Sequence, residues 1–321
     1  MKRFGNILLL AEGNCWQDSA LLRAVELAEH NQADLTIISP MNIPNALCGL
    51  TDSDCRRFIN AAMDVQKGVV EEQATNASPG LNITIKIIEG GIFPEIIREV
   101  LRNDFDLVMK AAEETGGLHE KIFGSADMHL LRKCPCPVWI IHSDGKGRYK
   151  RIFAAVDVES DNGDETVKNL NKEILEIASS LALSEFCELH IVHAWTAWGE
   201  NFLNTPRFRL AESGKVAEWV EHRRVADEKK MNDLVNTLTE IVSPQAIDYI
   251  KPQLHIVKGQ VHQVISDLLQ DQQNALLVMG TVARTGISGV IMGNTAESIL
   301  NNIGCSVLAI KPPGFVTPVT L

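Results

Sequence analysis

Short apolar runs of strand length recur along the chain, separated by stretches whose apolar residues fall at helical spacing. In the first half the runs occupy 7–11, 35–39, 83–88, 107–109 and 138–142. In the second half they occupy 152–156, 189–194, 254–257, 276–279 and 307–310. Runs this short and continuous suit strands covered on both faces. Between them, 19–29, 93–101, 173–183 and 262–269 carry helical periodicity. Strand and helix in alternation predict right-handed βαβ crossovers and an α/β fold on a parallel sheet.

The two halves also match each other. Phe105-Asp106-Leu107-Val108-Met109 parallels Asn274-Ala275-Leu276-Leu277-Val278-Met279. Gly124 answers Gly293, Cys136 answers Cys305 and Val138 answers Val307, each 169 positions on. At the front, Ile7 and Glu12 answer Ile152 and Asp157, 145 positions on. The second copy therefore carries 24 more residues than the first. Some precede its second strand; the rest are assigned to an insertion at about 196–240. The expected organisation is one domain over 1–146, a second over 147–314 and a tail over 315–321. The tether Ser143-Asp144-Gly145-Lys146-Gly147-Arg148 is short and polar. So short a joint between similar units predicts an internal pseudo-dimer.

Bulk properties narrow the function. The 321 residues are 45% hydrophobic and 22% charged, which is ordinary for a globular protein. A formal charge of −11 argues against wrapping nucleic acid or lying on anionic lipid. No apolar run reaches membrane-spanning length, and 7–11 reads as a first strand rather than a signal segment, so the cytoplasm is expected. The seven cysteines are scattered, and buried free thiols are the expected state. Cys134-Pro135-Cys136 is the one close pair, too few ligands for a metal site by itself.

The most informative stretch runs from Leu277-Val278-Met279-Gly280 through a Gly/Thr/Ser-rich loop to Gly293-Asn294-Thr295. A buried strand ends in glycine, a loop follows, and a second glycine opens a helix. Glycines admit close backbone approach, and first-turn N–H groups favour an anion. The carboxyl end of a strand is also where open α/β sheets bind ligands. Neither a P-loop nor G-x-G-x-x-G is present. Loop chemistry alone leaves a phosphate cradle and a plain capped turn both open.

The pattern resembles the universal stress protein family, whose loop reads Gly-x2-Gly-x9-Gly-[Ser/Thr]. Here it is Gly280-x2-Ala283-x9-Gly293-Asn294. Leu277 to Thr281, Cys305 to Lys311, and Asp157 at the end of a first strand are also similar to that family. With the duplication, the whole chain resembles its tandem, E-type bacterial members. The resemblance implies two five-stranded Rossmann-like domains of the adenine nucleotide alpha hydrolase type. It implies ATP, with Mg, or a related small phosphorylated ligand. Asp157 would face adenine or ribose and Ala194 would wall the base. Met279 and Gly280 would border the nucleotide; Gly293 and Asn294 would offer backbone N–H groups to phosphate, with Thr295 beside them.

This sequence departs from the pattern in several places. Ala283 stands for the second glycine, Asn294 for Ser or Thr, and Ala296 for a hydroxyl. The first copy departs further: Lys110 and Glu113 occupy the region of its first glycines, Glu12 replaces the aspartate, and only Gly124-Ser125 remains. Glu113 and Glu114 would repel a triphosphate unless a metal intervened. The second copy is therefore the expected site.

Other candidates carry less. His190 and His193 point to opposite faces of a strand, while His255 and His262 could converge with His193. No nucleophile elbow or acid–base carboxylate pair is visible. Trp195, Trp198, Phe202, Phe208 and Trp219 fall in or beside the insertion, where they pack a charged helix or line an apolar pocket. The expected function is stress response through binding of ATP or a related ligand, with weak ATP hydrolysis as one alternative. A scaffold with both sites empty is another, and a carrier of a partly apolar ligand is a further one. A homodimer beyond the internal pseudo-dimer is compatible with all of these.

Overall fold

The computed structural model describes residues 4–12, 16–41, 51–90, 92–113, 123–142, 147–158, 164–197, 213–270, 272–282 and 292–321. The tether residues 143–146, the loop residues 283–291 with Ala283, Glu114, and Trp198, Phe202 and Phe208 lie outside the described residues.

The first half contributes β1 (Asn6–Leu10), α1 (Leu22–Asn31), β2 (Asp34–Met41), α2 (Asp52–Ala77), β3 (Ile83–Glu89), α3 (Ile92–Asn103), β4 (Leu107–Ala111), α4 (Ser125–Lys133) and β5 (Val138–Ile141). The second contributes β6 (Arg151–Ala155), α5 (Glu165–Glu185), β7 (Glu188–Trp195), α6 (Ser213–Asn236), α7 (Leu238–Ile241), α8 (Pro244–Ile250), β8 (Gln253–Lys258), α9 (Val261–Leu269), β9 (Ala275–Gly280), α10 (Asn294–Leu300) and β10 (Ser306–Ile310). Every apolar run read as a strand is one.

All ten strands form one sheet in the order β3-β2-β1-β4-β5-β10-β9-β6-β7-β8. Each half is parallel. The halves meet where β5 and β10 pair antiparallel, with Leu308 opposite Trp139. The order reads the same from either end, so a pseudo-twofold passes between β5 and β10. The pseudo-dimer is thus built by closing two sheet edges on each other, which leaves neither as an unpaired template. Central strands are buried along their length, as in β1 and β4, because helices cover both faces. The outermost strands β3 and β8 are partly exposed.

Alternate strand residues feed two cores. Ile7, Leu9, Leu276 and Val278 face α1, α2, α5 and α6; Leu8, Leu10, Leu277 and Met279 face α3, α4, α9 and α10. Both cores run across both halves.

The proposed insertion at 196–240 contains α6, which takes the place in chain order that α2 takes in the first half. Both helices face the same core, through Val70 and Ala74 of α2 and Met231 of α6. The strands are joined by 42–82 in the first half and 196–252 in the second. The additional chain of that connection is thus a longer link around a shared helix, extended by α7 and α8.

Candidate functional site

In the second half a cleft of about 620 Å³ opens at the carboxyl ends of β6, β7 and β9, between α5 on one side and α9 and α10 on the other. It sits at the switch point of the sheet, where β6 leads to β7 on one side and pairs β9 on the other. Asp157, Ala194, Met279, Gly280, Gly293, Asn294 and Thr295 all line it. The structure thus brings together every described residue of the expected set.

Several local devices hold these positions. Asn171, buried in α5, clamps the backbone of Asp157: its Nδ2 donates to Asp157 O at 2.9 Å and its Oδ1 accepts from Asp157 N at 3.0 Å. Fixing both backbone groups of Asp157 sets the direction of its side chain. Asp164 caps α5 by accepting from Thr166 N at 2.9 Å, and both residues line the cleft. Gly280 packs closely on α5: a Cβ there would lie 2.8 Å from Leu170 Cδ2, and the Leu170 side chain would have to shift to admit it.

One expectation changes. Gly293 N–H donates to Thr281 O at 3.1 Å, so it is already used. Gly293 lines the cleft as the residue before α10, without a side chain to cap it. The first-turn N–H groups of Asn294, Thr295 and Ala296 are the ones with no intrahelical acceptor.

The same positions in the first half are filled with charge. Lys110 Nζ donates to Asp127 Oδ1 at 2.7 Å and lies 3.2 Å from Glu12 and 3.6 Å from Glu113. Offsetting by the repeat, Lys110 answers Met279, Glu113 answers Val282, Asp127 answers Ala296 and Glu12 answers Asp157. The cluster replaces open space: Lys110 and Asp127 are buried. The Glu113 carboxylate packs directly on Gly124 and fills the space a Cβ there would need. Burial alone would push the Lys110 ammonium down, but Asp127, Glu12 and Glu113 hold it above its ordinary value. Burial pushes the Glu113 carboxyl up, Lys110 pulls it down, and the neighbouring Asp127 and Glu12 leave it raised.

His255 turns away from His193. His255 meets His190, with His190 Nδ1 2.9 Å from His255 Nε2, on the face where His190 stacks on Phe153. The parallel register sets His255 opposite Val192 and on the His190 face. His193 instead borders the cleft, with Nδ1 3.4 Å from Val156 O and Nε2 3.9 Å from Asp227 of α6. No cluster of metal-ligating side chains occurs among the described residues.

Asn171 was not singled out from the sequence. Its signal is a polar residue on the buried stripe of a helix whose other buried members include Ile174, Leu175 and Ala178.

The first half braces the second. Lys311, just after β10, donates from Nζ to Leu131 O at 2.5 Å, to Arg132 O at 3.3 Å and to Thr281 Oγ1 at 2.6 Å. Thr281 Oγ1 donates to Leu131 O at 3.3 Å, and Arg132 pairs with Glu297 of α10 at 2.5 Å. The last carbonyls of α4 are thus capped by Lys311 and Thr281 of the other half.

A duplicated, doubly wound α/β protein with one open cleft at a switch point and one filled with charge is the class these features define. A model of the universal stress protein family matches residues 3–142 and again 148–311, and the chain belongs to that family. It is 30% identical to universal stress protein E of Escherichia coli strain K12, covering all of this chain and 98% of that one. The homologue in Haemophilus influenzae is 26% identical over 97% of this chain and 98% of its own. Among solved structures, a putative universal stress protein from Pseudomonas aeruginosa UCBPP-PA14 aligns with a TM-score of 0.64 at 25% identity, over 96% and 94% of the two chains. One from Archaeoglobus fulgidus aligns at 0.61 with 17% identity and shares the fold. No described helix is long and apolar enough to cross a membrane.

Proposed function

We propose that the second half binds ATP or a closely related phosphorylated ligand, and that the protein acts through this binding in the stress response, in the cytoplasm. The observation that carries the reading is the cleft: about 620 Å³, at the switch point, lined by Asp157, Met279, Gly280 and the first turn of α10. Asp157 offers a carboxylate to ribose or base donors, and Ala194 with Met279 offers an apolar wall. The N–H groups of Asn294, Thr295 and Ala296 supply donors to phosphate.

Charge argues for a divalent cation with a triphosphate. The described lining has Asp157 and Asp164 and no Lys or Arg; Arg284 lies outside the described residues. Two carboxylates near a polyphosphate raise its energy unless magnesium offsets them. The described lining holds no lysine of the P-loop kind, which is the sequence-level reason to rank binding above demanding catalysis.

The test is extraction of the purified protein, identification of any co-purified small molecule by mass spectrometry, and titration with ATP with and without magnesium. Binding that strengthens with magnesium supports the reading; no binding in either arm overturns it. Gly293→Asp places a carboxylate against the first turn of α10 and should abolish phosphate binding. Unchanged affinity in that variant removes the site from this place.

A further inference from the structure

We infer that Cys134 and Cys136 form a peroxide-oxidisable dithiol, closing to an intramolecular disulfide at the strut that joins the two halves. The pair is specified by the chain. Cys134 is extended at the C-cap of α4, and a bend over 135–136 follows that sets Cys136 beside it. Their sulfurs lie 3.5 Å apart, within reach of bond formation by a small side-chain adjustment. The repeat makes the pairing selective. Cys305 answers Cys136, but Ile303 answers Cys134, so the second half has one thiol at this place.

The surroundings favour reaction at Cys134. Burial opposes ionisation of its thiol, but donation from the Cys136 thiol and backbone and the charge of Lys311 outweigh it and hold Cys134 below the usual thiol range. By contrast, burial pushes Cys187 and Cys305 up to about 12. A thiolate beside an ammonium, with a second thiol in contact, is the arrangement that oxidises in two steps. Cys136, 9% exposed, is the edge of the pair nearer solvent, so the oxidant must be small.

The chemistry balances with hydrogen peroxide as the two-electron oxidant. The Cys134 thiolate attacks one peroxide oxygen and the O–O bond breaks. The departing hydroxide takes a proton and leaves as water. The Cys136 sulfur then displaces hydroxyl from the sulfenic acid as a second water, giving the S–S bond. Two thiols are oxidised and one peroxide is reduced to two waters.

The product alters the strut. Cys134 N donates to Leu130 O at 3.0 Å, one residue from the carbonyls that Lys311 holds. Drawing Cys134 toward Cys136 strains that cap and loosens Lys311 and Thr281.

The experiment treats the intact protein with hydrogen peroxide, removes the oxidant, unfolds the protein and blocks remaining thiols by alkylation, and digests with trypsin. Both cysteines fall in the peptide 134–146. The expected result is that peptide two hydrogens lighter and unalkylated, while peptides carrying Cys187 and Cys305 alkylate in full. Cys136→Ser should stop at a sulfenic acid on Cys134, trapped by a dione reagent. Hydrogen exchange at 130–134 and 280–282 should rise on oxidation and reverse with a reductant. Full alkylation of Cys134 and Cys136 after peroxide, with the fold retained by circular dichroism, overturns the inference. So does oxidation that falls first on Cys187 or Cys305.

Discussion

Lys110 shows how one residue decides what a site can be. In the second half the equivalent position is Met279, an apolar wall of the cleft; in the first it is a buried ammonium with three carboxylates about it. Removing the cation alone leaves those carboxylates uncompensated. Lys110→Met should therefore destabilise the protein by about 3–5 kcal/mol, read in urea unfolding. Adding Glu113→Val and Asp127→Ala, the residues of the second half, should recover much of that loss, because only the partly exposed Glu12 is then left without the cation. A single variant as stable as the parent would show that the cluster is not the tight ion network described. Much of this was legible beforehand: Lys110, Glu113 and Glu12 stand out as charges where the repeat has neutral residues or a shorter acid. What the sequence could not show is that they close on Asp127 as one buried network. The buried clamp of Asn171 on Asp157 was likewise hidden, since it depends on a backbone contact between a helix and a strand end.

At the scale of elements, α4 ends against the other half. Lys311 is 5% exposed, and burial pushes its amine down to about 8. Between pH 8 and the ordinary lysine range near 10.4, the unfolded chain binds a proton that the folded chain does not, so stability rises with pH through that window. Below about pH 8 both states carry the proton and the full cost of burying the charge remains. Lys311→Met should flatten this rise, which amounts to roughly 3 kcal/mol for a shift of this size. A stability profile from pH 7 to 10.5, parent against variant, reads it directly; parallel profiles would contradict the assignment. Strands and their order of appearance were legible because short apolar runs mark them. The place of α6 was not. Its charged, weakly apolar sequence masks its correspondence with α2. Only the common core face of Val70, Ala74 and Met231 shows the equivalence.

For the whole molecule, the joining of β5 to β10 matters most. Arg23 of α1 reinforces it from the side: it pairs with Glu185 of α5 at 2.5 Å, lies 3.9 Å from the centre of the Tyr149 ring, and donates to Gly147 O. With both cores crossing the seam, the two halves should unfold together, and secondary-structure and tryptophan signals should coincide. Arg23→Ala leaves Glu185 buried without its partner and should lower stability by about 3 kcal/mol or more. Two separate transitions in the parent would refute the shared-core description. The duplication could be read from the 169-residue repeat, but the antiparallel seam could not, because edge pairing depends on the geometry of two sheets. The account as a whole holds that two copies of one fold have become one site and one brace. Calorimetric titration of the intact chain with magnesium and ATP tests this most directly. One equivalent bound per chain, lost in Gly293→Asp and retained when Lys110 is replaced together with Glu113 and Asp127, is the predicted result. Two equivalents, none, or binding that survives Gly293→Asp would contradict it.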